Sequence, residues 1–242
     1  QQYIMSKIAW PRPDDDGRGE CPGYIFGDES SMKGVIVMQE WWGITDEIQS
    51  QAQKISEQGY RCVVPDLYRG SLGLEAEEAH HLMTNLDWPG AVKDIKGAAL
   101  YLLSSGCSKV GIIGFCMGGG LALAGAILVD EIACAAPFYG TPSPDLCDPI
   151  NCKKPIQAHF GELDGMAEFS DPATAAALRA RLQEAGCEAE VLCYPGAGHA
   201  FMNESPESLE RQAKMGFPPD NPEARERAWA AVFQFFQEKL QD

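Results

Sequence analysis

The sequence is short of positive charge: 19 Lys and Arg stand against 35 Asp and Glu in 242 residues, a formal charge of -16. A surface of that sign repels phosphate backbones and anionic lipid headgroups, so neither nucleic acid nor membrane is expected as a partner. Long apolar runs are lacking too. No window approaches the roughly 18 uninterrupted apolar residues of a membrane span, and the first segment, QQYIMSKIAWPRPDDDG, has no stretch long enough for a secretory leader. The expectation is a cytoplasmic protein with Met5 as a candidate natural start; an organellar address stays open, because a cleaved transit peptide leaves no trace. Paired cysteines are also missing. The nine are scattered with no Cys-x-x-Cys, which speaks against zinc-ribbon and thioredoxin-like chemistry. Cys62, Cys134 and Cys193 lie in short apolar runs and read as small buried hydrophobes.

Apolar residues are plentiful, and a chain of this length buries enough surface for one core without a structural metal. The reading is a single domain over residues 1–242, with no repeat and no dividing linker. Val35 to Gln39, Arg61 to Val64, Lys109 to Phe115, Ile132 to Phe138, Pro155 to Gly161 and Glu188 to Tyr194 are short apolar runs that predict strands. Between them, Thr45 to Glu57, Ala91 to Ser104, Met117 to Val129 and Pro172 to Ala185 carry helical spacing, and Pro222 to Leu240 predicts an amphipathic closing helix. Such alternation predicts the α/β class: a mostly parallel sheet with helices on both faces. Chemistry in these folds collects at the carboxyl ends of the strands.

The predicted strand ending at Phe115 runs through Gly114-Phe115-Cys116-Met117-Gly118 directly into a helix, the context of the G-x-S-x-G nucleophile elbow with Cys in the serine position. A helix N-terminus favours a thiolate. On the five-residue pattern alone, a glycine-rich turn in which Cys116 is merely a small residue fits equally well. The elbow is favoured by the order of residues further along the chain, because α/β-hydrolases place the acid and then the base after the nucleophile. Asp164, in GELDG, comes after the strand PIQAHFG, and His199, in GAGHAF, comes after the strand EVLCYP. His80 and His81 lie in the acidic helical stretch EAEEAHHLM and read as a solvated face; the Glu77/His81 spacing alone is a weak metal signal, and no metal is expected.

Glu40, in QEWWG, comes after the first predicted core strand, in the loop that supplies an oxyanion amide in α/β-hydrolases. With Glu40, PDLY at Pro65 to Tyr68, GFCMGG, GELD and GAGHAF in order, the sequence resembles the dienelactone hydrolase (carboxymethylenebutenolidase) family from about Gly23 to Leu240. The resemblance implies an α/β-hydrolase fold, a triad of Cys116, Asp164 and His199, and contact between Glu40 and the nucleophilic thiol. No cofactor is implied.

In such a site Cys116 attacks an ester or lactone carbonyl, His199 carries the proton, Asp164 orients the imidazole, and the amides of Trp41 and Met117 hold the oxyanion. Trp42, Tyr139 and Phe201 are candidates for the substrate pocket wall, and the protein is expected to act as a monomer. Two other readings stay open: a thioesterase or other acyl hydrolase of this fold, or a non-catalytic relative using Cys116 for redox sensing or partner docking. Family members that hydrolyse dienelactone carry carboxylate-binding arginines after PDLY and a few residues past the histidine. Here no Lys or Arg occurs between Arg69 and Lys93, and His199 is followed by Ala200-Phe201-Met202-Asn203-Glu204. Neutral substrates are therefore expected to be favoured, unless Arg69, His80 or His81 folds over the site.

Overall fold

The computed structural model describes residues 6–13, 17 and 19–241; Met5 lies outside them. Eight strands form one sheet: β1 (Ser6–Pro11), β2 (Glu20–Phe26), β3 (Lys33–Met38), β4 (Arg61–Pro65), β5 (Lys109–Phe115), β6 (Ile132–Phe138), β7 (Ile156–Gly161) and β8 (Ala189–Tyr194). They lie in the order β1-β2-β4-β3-β5-β6-β7-β8. β2 runs antiparallel to both its neighbours, and every pairing from β4 to β8 is parallel. The helices are α1 (Asp46–Ser56), α2 (Ala76–Thr84), α3 (Trp88–Ser104), α4 (Met117–Leu128), α5 (Pro172–Glu184), α6 (Pro206–Lys214) and α7 (Pro222–Lys239).

Both faces of the sheet are covered. Successive residues of a strand point to opposite faces. On β5, Ile112 packs toward Gly125 of α4, whereas the neighbouring Gly111 faces Phe236 of α7. A strand covered on both sides needs apolar residues throughout, and Val110 to Phe115 are buried without interruption. Local signals set the helix ends. Asp171 caps α5 by accepting from Thr174 N–H, Asn221 caps α7 by accepting from Ala224 N–H, and a proline occupies the first helical position after each cap.

β5 and β6 have the predicted bounds. The sequence reading did not anticipate β1, β2 or α6. β2 is disguised by Pro22 and Gly23, β1 is a half-exposed edge strand, and α6 is largely polar, with only Ser208 and Gln212 buried. Cys193 is exposed, not buried as expected: β8 is the last strand of the sheet, and Ala189, Glu190 and Cys193 on it are all exposed. Cys62 and Cys134 are fully buried.

The strand order reverses beside β3, whose neighbours are β4 on one side and β5 on the other. A crevice therefore opens at the carboxyl ends of β3 and β5. α4 starts right after β5 and passes close to the end of β3. A Cβ on Gly118 would lie 2.5 Å from the Gln39 carbonyl oxygen and 2.6 Å from that of Met38, and one on Gly114 would lie 2.0 Å from the Gly118 oxygen. These obstacles are backbone and cannot swing aside. Gly118→Ala is expected to lower the unfolding free energy by about 1–3 kcal/mol, the usual range for overpacking. Urea denaturation checks this; an unchanged midpoint would mean that the two segments separate freely.

Candidate active site

Cys116 is the junction between β5 and α4, with φ 55° and ψ -119°. That conformation is strained for a residue with a Cβ, by on the order of 1–3 kcal/mol. It is held from both sides. Cys116 N–H donates to Phe138 O at 3.1 Å, and its carbonyl accepts from Gly119 N–H at 2.8 Å. The side chain is thereby directed to the crevice floor, where it is 8% exposed.

His199 and Asp164 come from the loops after β8 and β7. His199 Nδ1 lies 2.8 Å from Asp164 Oδ2, and both side chains are buried. Ser170 Oγ is a second neighbour of Nδ1 at 3.1 Å. Sequence reasoning missed Ser170; the one available signal was its place just before the Asp171 cap. His199 Nε2 has no hydrogen-bond partner among the described residues, and the imidazole lines the same cavity as Cys116. An imidazole bonded to a carboxylate through Nδ1 is fixed in orientation and keeps Nε2 for chemistry.

Glu40 is 2% exposed and accepts from Asn203 Nδ2 at 3.1 Å and 3.2 Å through its two oxygens. Asn203 is itself oriented by Gln51, whose Nε2 donates to Asn203 Oδ1 at 3.2 Å. The amide seen in the segment after His199 thus serves Glu40. Burial and the nearby Glu47 carboxylate push the Glu40 carboxyl up to about 7, against the opposing pull of Asn203 and Arg211. Burial and then Glu40 also push the Cys116 thiol far above its ordinary value, opposed by the backbone N–H groups of Met117 and Trp41. The two amides predicted to hold an oxyanion are thus the groups that favour the thiolate.

Above these groups lies a cavity of about 1050 Å³ with an apolar wall that includes Trp41, Trp42, Trp88, Leu146 and Phe169. Trp42 lines it as expected. Tyr139 and Phe201 do not: Tyr139 is fully buried, packs edge-on against His199 at 5.1 Å and supports Phe201 at 5.4 Å, so both stand behind the site. Both are buried beside residues that line the cavity, a distinction that sequence position does not carry. Arg69 is held away by Asp94 at 2.9 Å, and His80 reaches the cavity wall from α2. The cation that sequence reasoning missed is Arg211, on the unanticipated α6. Its guanidinium lies 4.5 Å over the Trp42 ring and pairs with Glu207 at 2.8 Å.

The strand order, the elbow and the His-Asp pair define an α/β-hydrolase. The family model for the dienelactone hydrolase family matches residues 21–240, and the chain belongs to that family. It is 30% identical to Protein usf of Aquifex pyrophilus over 90% of this chain and 93% of that one. It is 29% identical to the carboxymethylenebutenolidase of Pseudomonas putida over 77% of this chain and 83% of the other. Among solved structures, a dienelactone hydrolase-like promiscuous phosphotriesterase from metagenomic libraries shares the fold, with TM-score 0.81 at 20% identity over 98% of this chain and 99% of that chain.

Glu40 makes the site's cost depend on pH. Between its unfolded value of 4.5 and about 7, the folded chain keeps a proton that the unfolded chain has released. Stability attributable to this residue therefore falls as pH rises through that window, by about 3 kcal/mol in all, and stays lost above it. Glu40→Gln is expected to be about 1–3 kcal/mol more stable than wild type at pH 8 and to lose that advantage at pH 4. Denaturant unfolding at the two pH values tests this; an equal difference at both would show that Glu40 is not titrating.

Proposed function

We propose that the chain acts as one domain, residues 1–242, and as a monomer, hydrolysing small carboxylic esters or enol-lactones with Cys116 as nucleophile, His199 as general base and Asp164 as its orienting partner. The observation that carries this is the His199–Asp164 pair at 2.8 Å, whose unpartnered Nε2 shares a cavity with an elbow cysteine. At rest the thiol is kept neutral by burial and by Glu40. A substrate carbonyl oxygen takes over the Trp41 and Met117 amides, and the sulfur turns toward Nε2. The thiol proton passes to His199 as sulfur bonds to the carbonyl carbon, and the two amides stabilise the oxyanion. Collapse expels the alkoxide, which takes the proton from the imidazolium and leaves a thioester on Cys116. Water, deprotonated by His199, then attacks the thioester; the acid departs and the thiol is restored.

A redox-sensing role for Cys116 is disfavoured by its burial and raised thiol, since sensor thiols are exposed and easily ionised. Acyl thioesters remain a second substrate class, because a cavity of about 1050 Å³ accommodates a leaving group larger than an enolate. Hydrolysis of a chromogenic acetate ester is expected to fall at least about a thousandfold in Cys116→Ala and His199→Ala, with unfolding midpoints little changed. Turnover within tenfold of wild type in either variant would remove the triad.

The cavity wall bears the acids Glu40, Asp145 and Glu168 and one arginine, Arg211, which is already paired with Glu207 and stacked on Trp42. Neutral esters are therefore expected to surpass carboxylate-bearing lactones of similar size in kcat/KM by at least about tenfold, roughly one charged hydrogen bond. Steady-state kinetics at low salt decide. A preference for the carboxylate would mean that Arg211 leaves Glu207 to bind substrate.

A further inference from the structure

Away from the cavity, Cys152 and Cys187 meet beside the N-terminal ends of β7 and β8. Cys187 Sγ donates to Cys152 Sγ at 3.6 Å and to the Lys154 carbonyl oxygen at 2.9 Å, and Cys152 Sγ lies 3.5 Å from that same oxygen. The backbone holds the two residues there without help from the sulfurs. β7 and β8 pair in parallel from Ile156 and Ala189, and Ile156 N–H donates to Glu188 O at 2.9 Å. Cys152 N–H closes a 3-10 turn on Pro149 O, and Cys187 N–H closes the end of α5 on Leu182 O, both at 3.0 Å. Cys152 is fully buried, whereas Cys187 is partly exposed. A disulfide needs the sulfurs near 2.05 Å, so about 1.5 Å remains to be closed, which two side-chain torsions can share.

We propose that Cys152 and Cys187 form a reversible dithiol–disulfide site that is closed by peroxides and reacts before Cys116. Within the pair Cys187 is the proton donor, and its bond to Cys152 and then burial push its thiol up. In the first step Cys187, the exposed member, therefore hands its proton to the Cys152 thiolate and attacks the peroxide as a thiolate, and the hydroxide released takes that proton back from Cys152. An S–O bond forms, the O–O bond breaks, water leaves and Cys187 becomes a sulfenic acid. The Cys152 thiolate then attacks that sulfur; the S–S bond forms and the departing hydroxide takes up a proton as a second water. Two thiols have lost two electrons and two protons, and one hydrogen peroxide has become two waters; an alkyl hydroperoxide gives an alcohol and one water. The surroundings favour a Cys152 thiolate in the resting pair, and the two ammonium groups go on favouring it in the second step. The Cys187 S–H bond and then the Lys154 and Lys153 ammonium groups hold the Cys152 thiol below its ordinary value, against the effect of burial. Cys116 has the opposite environment, enclosed and beside a carboxyl group.

The bridge would tie together the far ends of two segments that line the catalytic cavity. One contains Thr141 and Leu146 and runs on to Cys152; the other contains Met166 and Phe169 and continues through α5 to Cys187. Their near ends are already joined by Thr141 Oγ donating to Phe169 O at 2.8 Å. Closing the loop restricts the unfolded chain, so oxidation is expected to raise the melting temperature by roughly 4–10 °C.

The test is to titrate the fully reduced chain with hydrogen peroxide and follow free thiols, peptide maps, melting and ester turnover together. The expected result is loss of two thiols, a peptide bridged between Cys152 and Cys187, the rise in melting temperature, and reversal of all three by dithiothreitol. Ester turnover should stay within twofold when bridging is complete. In Cys152→Ser, Cys187 should proceed to sulfinic acid with no rise in melting temperature; Cys187→Ala provides the matching control should that variant fold poorly, and should form no bridge. A bridge from Cys152 to Cys147 instead, sulfinic acid at Cys187 in wild type while Cys152 remains a thiol, or oxidation of Cys116 before the bridge forms would each overturn the proposal.

Discussion

The site depends on the backbone of Cys116 being held at positive φ. Alone, that conformation would relax into the ordinary α or β region and carry the side chain away from the crevice. It persists because Phe138 O and Gly119 N–H grip the residue on its two sides, and because the missing Cβ atoms of Gly114 and Gly118 let α4 lie directly against the ends of β3 and β5. The register of the parallel strands thereby becomes a constraint on one sulfur atom. Met38 pairs with Gly114 and Phe115 with Phe138, so the loops that carry Glu40 and Tyr139 are drawn in beside the elbow. A slip between β3 and β5 would separate Glu40 and the Trp41 amide from the thiol.

The parts of this arrangement that were legible in the sequence are those in which one short segment carries the whole signal. The elbow needs glycines around a nucleophile between a strand and a helix, and GFCMG contains all of that. The alternation of β3 to β8 with helices was readable for a similar reason, since buried parallel strands are apolar on both faces. The illegible parts depend on meetings between distant segments. Arg211 reaches the cavity because α6 packs there, and nothing in the polar pattern of that helix tells its turned-in arginine from a solvated one. Asn203 was visible as an amide after His199, but its partner, Glu40, lies at the far end of the chain. Tyr139 directly follows β6 and Phe201 lies beside the His199 motif in sequence, and only their packing shows that Tyr139 supports His199 from behind with Phe201 against it.

Electrostatics at the site are set by burial more than by pairing. The whole chain carries a formal charge of -16, and the polar partner that Glu40 meets beside the thiol is the neutral amide of Asn203. In water such a carboxylate would be ionised at neutral pH; enclosed with Glu47 nearby, it titrates near 7 instead. A protonated Glu40 imposes little charge on Cys116, whereas an ionised one opposes thiolate formation. The ionised carboxyl therefore restrains ionisation of the thiol. Removing Glu40 would leave burial as the main force opposing the helix N-terminus and the two amides, all of which favour the ionised sulfur.

For the same reason the cysteines fall into chemically different groups within one fold. Cys62 and Cys134 are enclosed by apolar strands, and burial above all pushes both thiols up. Cys116 has amides to stabilise a thiolate, but its burial and a neighbouring carboxyl group oppose one. Cys152 has both a sulfur donor and two ammonium groups close by, and its partner faces solvent. Thiol reactivity depends on the local balance of desolvation against positive charge and donated hydrogen bonds, so neither the count of nine nor their sequence spacing ranks them. The ranking comes from parallel register: β7 and β8 start side by side, and this brings two cysteines from different loops to within 3.6 Å at the end of the sheet opposite the one where β5 presents its own.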